Sequence, residues 1–377
     1  MTHRERVLTA LRREPPDRVP RDLGATLATT LTAGAHRRLR EHLGLPAGEE
    51  PPFFSRRSST VLPDEAILQR FDVDARAVLL GGPELCPDRD LGGGSFADEW
   101  GITWSRPHEG HYLNTDGPFY RIEDPSPRLL DQFSAPDPAD PGRFRGLRER
   151  ARALHQGTDY AVVLGLGVGP VHQCQFLRGY GEWLEDLLAR PAFAEGLLEL
   201  AADFWIAVTT RALEEAADQV DLVMFGDDVG TQQATLMRPA LYRSLVKPHH
   251  RRMIDAVKRF GKPVLYHTCG SVAPLIPDLI EIGVDALNPV QVTAAGMDPL
   301  RLKREFGREL AFWGAIDNQR LLPFGTPADV RAQVRQRIGE LASGGGYVLS
   351  AGHNIQADVP PENVAALYEI SGSRGSS

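Results

Sequence analysis

Cysteine is scarce in this sequence, with only Cys86, Cys174 and Cys269 among 377 residues. Three are too few for a disulfide framework in a chain of this size. No uninterrupted apolar segment approaches the length needed to span a membrane. Basic excess is absent as well: the net charge is −8, whereas a nucleic-acid surface carries clustered cations. The pairs Arg37-Arg38 and Arg56-Arg57 are short and read as solvated helix or loop faces. The opening residues, Met1-Thr-His-Arg-Glu-Arg-Val, lack the apolar stretch of a secretory signal. The expectation is a cytoplasmic protein with no nucleic-acid or membrane partner. No glycine-rich phosphate loop follows the first expected strand. Ser343-Gly-Gly-Gly346 precedes a strand instead of joining strand to helix, so it is not read as a nucleotide cradle.

What the second half does contain is five short apolar runs, each ending in a polar or metal-binding group. They are Leu222-Val-Met-Phe-Gly-Asp227-Asp228, Pro263-Val-Leu-Tyr-His267-Thr-Cys269-Gly270, Asp285-Ala-Leu-Asn288, Leu310-Ala-Phe-Trp-Gly-Ala-Ile-Asp317 and Gly346-Tyr-Val-Leu-Ser-Ala-Gly-His353-Asn354. Helix-length amphipathic stretches separate them. Before residue 170, Arg18 to Gly24, Val73 to Leu80 and Tyr160 to Leu166 also read as strands. Eight strands alternating with helices predict an α/β fold, a (β/α)8 TIM barrel with functional groups on the rim at the strand ends. A doubly wound open sheet is the rival. A helix over Thr2 to Arg13, stopped by Pro15-Pro16, makes an N-terminal extension. The Gly- and aromatic-rich stretch 92–121 alternates and is expected to form an inserted β-hairpin. One domain is expected over 1–370, with a disordered Gly/Ser-rich tail at 371–377.

His267 and Cys269 are two apart at a strand end and so can face one ion together. Zinc accepts mixed nitrogen and sulfur, and a catalytic zinc has three protein ligands and one open position. His353, at the end of the last strand, is the natural third. Against this, a lone His-x-Cys pair is a common coincidence, and a strand-end histidine often just bonds a loop. Asp227 and Asp228 point opposite ways on their strand. One can face the mouth as ligand, acceptor or general base, with Asp228 the favoured one, or cap the next turn. Asn288, Asp317 and Gln291 are further rim groups. Asn288 can orient a ligand, and Asp317 can hold a histidine in its metal-binding tautomer; either can equally close an Asx turn. Tyr266 should point away from the mouth, and Cys174 reads as a packed thiol.

Taken in order, these residues resemble the uroporphyrinogen decarboxylase superfamily, and most closely its corrinoid-linked methyltransferase branch, the methylcobamide:coenzyme M type. The resemblance rests on Arg4-Glu-Arg-Val-Leu-Thr-Ala-Leu, Asp17-Arg-Val-Pro20, Asp98-Glu-Trp-Gly101, Gly226-Asp-Asp-Val-Gly230, His267-Thr-Cys-Gly270, Asn288-Pro-Val-Gln291, Gly314-Ala-Ile-Asp317, His353-Asn-Ile-Gln356 and Pro360-Pro-Glu-Asn363. It implies the barrel, a homodimer, and zinc held by His267, Cys269 and a third residue. That third is His353, where the branch often has cysteine. It further implies methyl transfer between a small methylated or methoxylated compound, or a thiol, and a corrinoid (cobalamin) carried by a partner protein. Asp228, Asn288 and Asp317 are then the catalytic-site candidates. The decarboxylase branch reads its tetrapyrrole with an arginine-rich N-terminal motif; Arg21-Asp-Leu-Gly-Ala-Thr-Leu lacks it. Two alternatives stand beside this expectation. One is a lyase acting on a small carboxylated substrate, held by Arg21 or Arg178, and not on uroporphyrinogen itself. The other is a barrel that only binds a ligand or a corrinoid protein.

Overall fold

The computed structural model describes residues 1–46, 49–106 and 111–369. The tail expected at 371–377 lies outside them. Seven strands form one parallel sheet: β1 (Ala75–Leu79), β2 (Ala161–Val168), β3 (Leu222–Gly226), β4 (Val264–His267), β5 (Ala286–Asn288), β6 (Ala311–Ile316) and β7 (Tyr347–Ala351). Each pairs with the next in chain order. Their buried residues alternate between two layers, as side chains on a strand must. Ala161, Val163, Leu222, Met224, Leu265, Trp313 and Val348 pack inside the curled sheet. Val162, Leu164, Val223, Phe225, Val264, Tyr266 and Phe312 pack outward with helix residues such as Leu197, Val208, Met253 and Val334.

The eighth position is held by a single residue. Arg21 bridges Leu349 of β7 in parallel. Asp22 N–H donates to Leu349 O (2.9 Å), and Asp74 N–H, just before β1, donates to Arg21 O (2.9 Å). The sequence suggested a strand over Arg18 to Gly24. Pro20 offers no N–H to a ladder, and Asp22 turns its buried carboxylate to Trp313 Nε1 (2.7 Å) and Ala25 N (2.9 Å). The closure of the cylinder is therefore one bridge wide.

Helix α1 (His3–Leu11) plugs the end where the strands begin. Thr2 caps it and Glu5 completes a capping box. Its Val7, Ala10 and Leu11 are buried with the barrel-interior residues, and each large apolar side chain so buried stabilises by about 1.5–3 kcal/mol. The insertion after β1 has four antiparallel strands, Arg89–Gly92, Ser95–Ala97, Thr103–Ser105 and Leu113–Asp116, where one hairpin was expected. Gly92, Gly93 and Gly94 all take left-handed φ (78°, 59°, 77°), which folds an extra strand back. Leu31–Thr32, Thr60–Val61 and Phe53–Ser55 make a small sheet that the sequence pattern did not reveal. No helix among the described residues is long and apolar enough to cross a membrane.

Candidate metal centre

The rim of the barrel is built where β2, β3, β4, β5 and β7 end. His267 is the last residue of β4 and lies directly opposite Gly226 of β3. A Cβ at Gly226 would sit 2.7 Å from the Cβ of His267, so only glycine leaves room for the ring. Two residues on, Cys269 is half-buried, with Sγ 3.5 Å from His267 Nε2. His353 follows β7 from across the mouth, its ring T-shaped to that of His267 at 5.4 Å. One donor atom from each of His267, Cys269 and His353 lies within 4.8 Å of the others.

Tetrahedral zinc with these ligands needs donor separations of about 3.4–3.8 Å, from bond lengths near 2.0–2.3 Å. The sulfur–nitrogen distance already falls there, and the remaining gap is about 1 Å of side-chain adjustment. His267 is also set up to offer the right atom. Its Nδ1 donates to Asn288 Oδ1 at 2.6 Å, while Asn288 Nδ2 donates to Trp313 O at 3.4 Å. Nε2 is then left with its lone pair toward Cys269. Burial and the neighbouring imidazoles favour neutral histidines: burial lowers His267, and burial with His267 lowers His353 to about 4. Neutral imidazole is the metal-binding form. Burial, reinforced by Asp228, pushes the Cys269 thiol up; a cation between these donors would reverse that.

Asp228 and Asp227 point apart. Asp228 faces the mouth, where its Oδ1 accepts the Cys269 N–H (2.7 Å) and lies 3.9 Å from His267 Nε2. Burial opposes its charge, yet His172 and His267 hold its carboxyl well below the usual range. Asp227 is fully buried. It accepts from Val171 N (2.9 Å), His172 N (2.8 Å) and His250 Nε2 (2.9 Å). Tyr266 points outward, as expected, and its hydroxyl donates to Asp227 O (3.1 Å).

His172 escaped the sequence reading. It lies in the first turn of α2 (Pro170–Arg178), with Nδ1 3.3 Å from Asp227 and Nε2 3.7 Å from Asp228. Burial disfavours its charge, but hydrogen bonds to the two carboxylates outweigh burial and push it up to about 10. Its position just past a strand end was the available signal. Cys174, two residues later, is buried and packed against the core, and burial raises its thiol.

Asp317 does not hold a histidine. Its Oδ1 accepts from Gln319 N (2.8 Å) and Arg320 N (3.0 Å), an Asx turn, and no described histidine bonds to it. Asn288 occupies the histidine-orienting position instead. Gln291 accepts from Gly270 N (2.7 Å) and donates to Gln232 (2.8 Å). A cavity of about 230 Å³ opens beside Cys269 and His353, lined by Gln232, Gln291, Asn318 and Gln319. A larger cleft of about 550 Å³ between 127–138 and 196–204 lies away from these donors. Arg21 and Arg178 are engaged internally: Arg21 Nη1 with Phe71 O (3.0 Å), and Arg178 with Asp186 (2.6 Å) and Phe119 O (2.7 Å).

The family model described as uroporphyrinogen decarboxylase (URO-D) matches residues 111–373. The chain belongs to the uroporphyrinogen decarboxylase family. It is 23% identical over 372 residues to a protein of Methanosarcina mazei named methylcobamide:CoM methyltransferase MtbA, covering 98% of this chain and 97% of that one. A uroporphyrinogen decarboxylase of Xanthomonas axonopodis pv. citri is 25% identical over 385 residues, covering 98% of each. A solved structure described as a methyltransferase from Methanosarcina mazei superposes with a TM-score of 0.67 at 20% identity, covering 97% of each chain. The shared fold is the (β/α)8 barrel. A URO-D family enzyme whose relatives include methyltransferases thus carries a His-Cys-His donor cluster at its rim.

Proposed function

We propose that this family member is a zinc-dependent methyltransferase or demethylase that moves a methyl group between a small substrate and a corrinoid held by a partner protein. The observation that carries the reading is the meeting of His267, Cys269 and His353 donor atoms within 4.8 Å, with His267 fixed by Asn288. The relatives named methylcobamide:CoM methyltransferase, aligned over nearly the whole chain, support it. Bound there, zinc would supply Lewis acidity, activating a thiol or polarising a methoxy oxygen. Two imidazoles and one thiolate carry less negative charge than sets richer in cysteine, which favours the Lewis-acid use. Asn288 keeps Nε2 of His267 free, and Asp228 braces the Cys269 backbone while its second oxygen faces His172. Gln232, Gln291, Asn318 and Gln319 offer amide donors and acceptors to orient a polar substrate. Methyl exchange with a corrinoid protein and a homodimeric state belong to the same reading. The lyase alternative loses support at Arg178, one of its carboxylate holders, which is bonded to Asp186 and Phe119 O.

Metal analysis of protein purified without chelator tests the reading. We expect close to one zinc per chain, falling to near zero in Cys269→Ser. Wild-type protein with no divalent metal, even after zinc is added and excess removed, would falsify it.

A further inference from the structure

One arginine beside the inserted sheet is not absorbed by this chemistry. Arg56 and Arg57 diverge. Arg56 lies over the Phe96 ring at 4.1 Å with Asp88 at 3.6 Å. Arg57 lies over Trp104 at 4.2 Å and near Phe176 at 5.8 Å. It is therefore not part of a solvated face. Its Nη2 donates to Asp98 at 2.8 Å, and among the described residues no acceptor bonds its Nε or Nη1. The side chain is 37% exposed, so those donors have access to solvent. Burial nonetheless lowers its basicity, as for a cation set in a recess.

Asp98 opens the Asp98-Glu-Trp-Gly101 motif. Besides Arg57, it accepts from Trp104 Nε1 (2.8 Å), Trp100 N (2.9 Å) and Ile102 N (3.1 Å). The motif therefore locks the guanidinium in place. Two routes of contact tie Arg57 to the metal centre. Phe176 stacks on His172, which faces Asp228. Tyr112 N donates to Arg57 O (2.9 Å), and the adjacent His111 bonds Gln356 (2.8 Å), three residues beyond His353.

We propose that Arg57 is the anion-binding residue of the substrate funnel, and that the substrate is a small acid: a carboxylate on an apolar body that lies along Phe176. The guanidinium keeps N–H groups that Asp98 does not use, and it can give a carboxylate charge-assisted hydrogen bonds beside the Asp98 pair. The aromatic wall between it and the rim suits an apolar body. The assignment rests on the methyl-transfer reading only for which end of the ligand reacts.

Binding of benzoate and of neutral benzamide to the full chain, followed by calorimetry, tests it without requiring catalysis. We expect saturable benzoate binding to wild type, weakened about tenfold or more in Arg57→Gln, with benzamide weak in both. Gln keeps an N–H for Asp98 and removes the charge; an unchanged melting curve shows that the variant folds. Arg57→Lys keeps the charge on one compact ammonium with fewer fixed donors and should fall between. Zinc-loaded and chelator-treated protein are measured side by side. Loss of benzoate binding on removing metal but not on Arg57→Gln overturns the proposal. So does equal binding of benzoate and benzamide to wild type, or no benzoate binding at all. Zinc content in the same samples reports on the metal reading separately, so either can fail alone.

Discussion

At His267 a single hydrogen bond decides which ring nitrogen can meet an ion. Asn288 Oδ1 can only accept, so the proton sits on Nδ1 and Nε2 keeps its lone pair. Removing the acceptor frees the ring to rotate and to change tautomer. Asn288→Ala should therefore weaken zinc binding about 10–100-fold, the range for losing a partner behind a ligand, while Asn288→Asp, which keeps an acceptor, should weaken it less. Competition with a chromophoric chelator measures both; equal affinities for wild type and Asn288→Ala would show that the tautomer is set otherwise. The donor residues were legible because strand ends and a two-residue spacing fix direction. Asp317 was not, since an Asx turn and a histidine-orienting carboxylate look identical in sequence. His172 was hidden for a different reason. Its partners Asp227 and Asp228 lie 55 and 56 positions away, and only the fold brings them together.

Strands and helices were legible where their periods ran long enough to be unambiguous. The five runs after residue 220 became β3 to β7, and the stretch from Gly181 to Glu215 became Tyr180–Ala189 and Pro191–Ala216, broken at proline as expected. The two-residue strands were not. Leu31–Thr32 and Thr60–Val61 are two residues each, too brief to carry an alternation. The strand expected over Arg18 to Gly24 shrank to one bridge because Pro20 and the inward turn of Asp22 leave little backbone to pair. The junction of β2 with α2 shows how tightly elements meet at the rim. Gly169 precedes the helix whose first amides hold Asp227, and a Cβ there would lie 2.3 Å from Asp227 Oδ2. Gly169→Ala should displace that carboxylate and destabilise the protein by about 1–3 kcal/mol, the usual cost of overpacking. Urea denaturation would read this as a lowered midpoint at unchanged slope. A midpoint equal to that of wild type would mean that the helix start yields without strain.

For the molecule as a whole, the donor cluster spans the barrel. His267 and Cys269 belong to the end of β4, and His353 follows β7, with β5 and β6 between them in the sheet. On the other side of β7, the strand pairing toward β1 that the described residues show is the bridge at Arg21. An ion shared across the mouth would thus tie the sheet's middle strand, β4, to its edge strand, β7. Such an ion binds the closed barrel and has no assembled site in the unfolded chain, so its binding free energy adds to folding. At free zinc one hundred times the dissociation constant, the gain should be about 2.7 kcal/mol. Urea denaturation in buffered zinc and in chelator measures that difference directly. His353→Ala should unfold at the same midpoint in both, because the two donors left on β4 no longer span the mouth. If His353→Ala gains as much from zinc as wild type does, the ion is held by one side of the barrel alone, and the clamp across the rim is wrong.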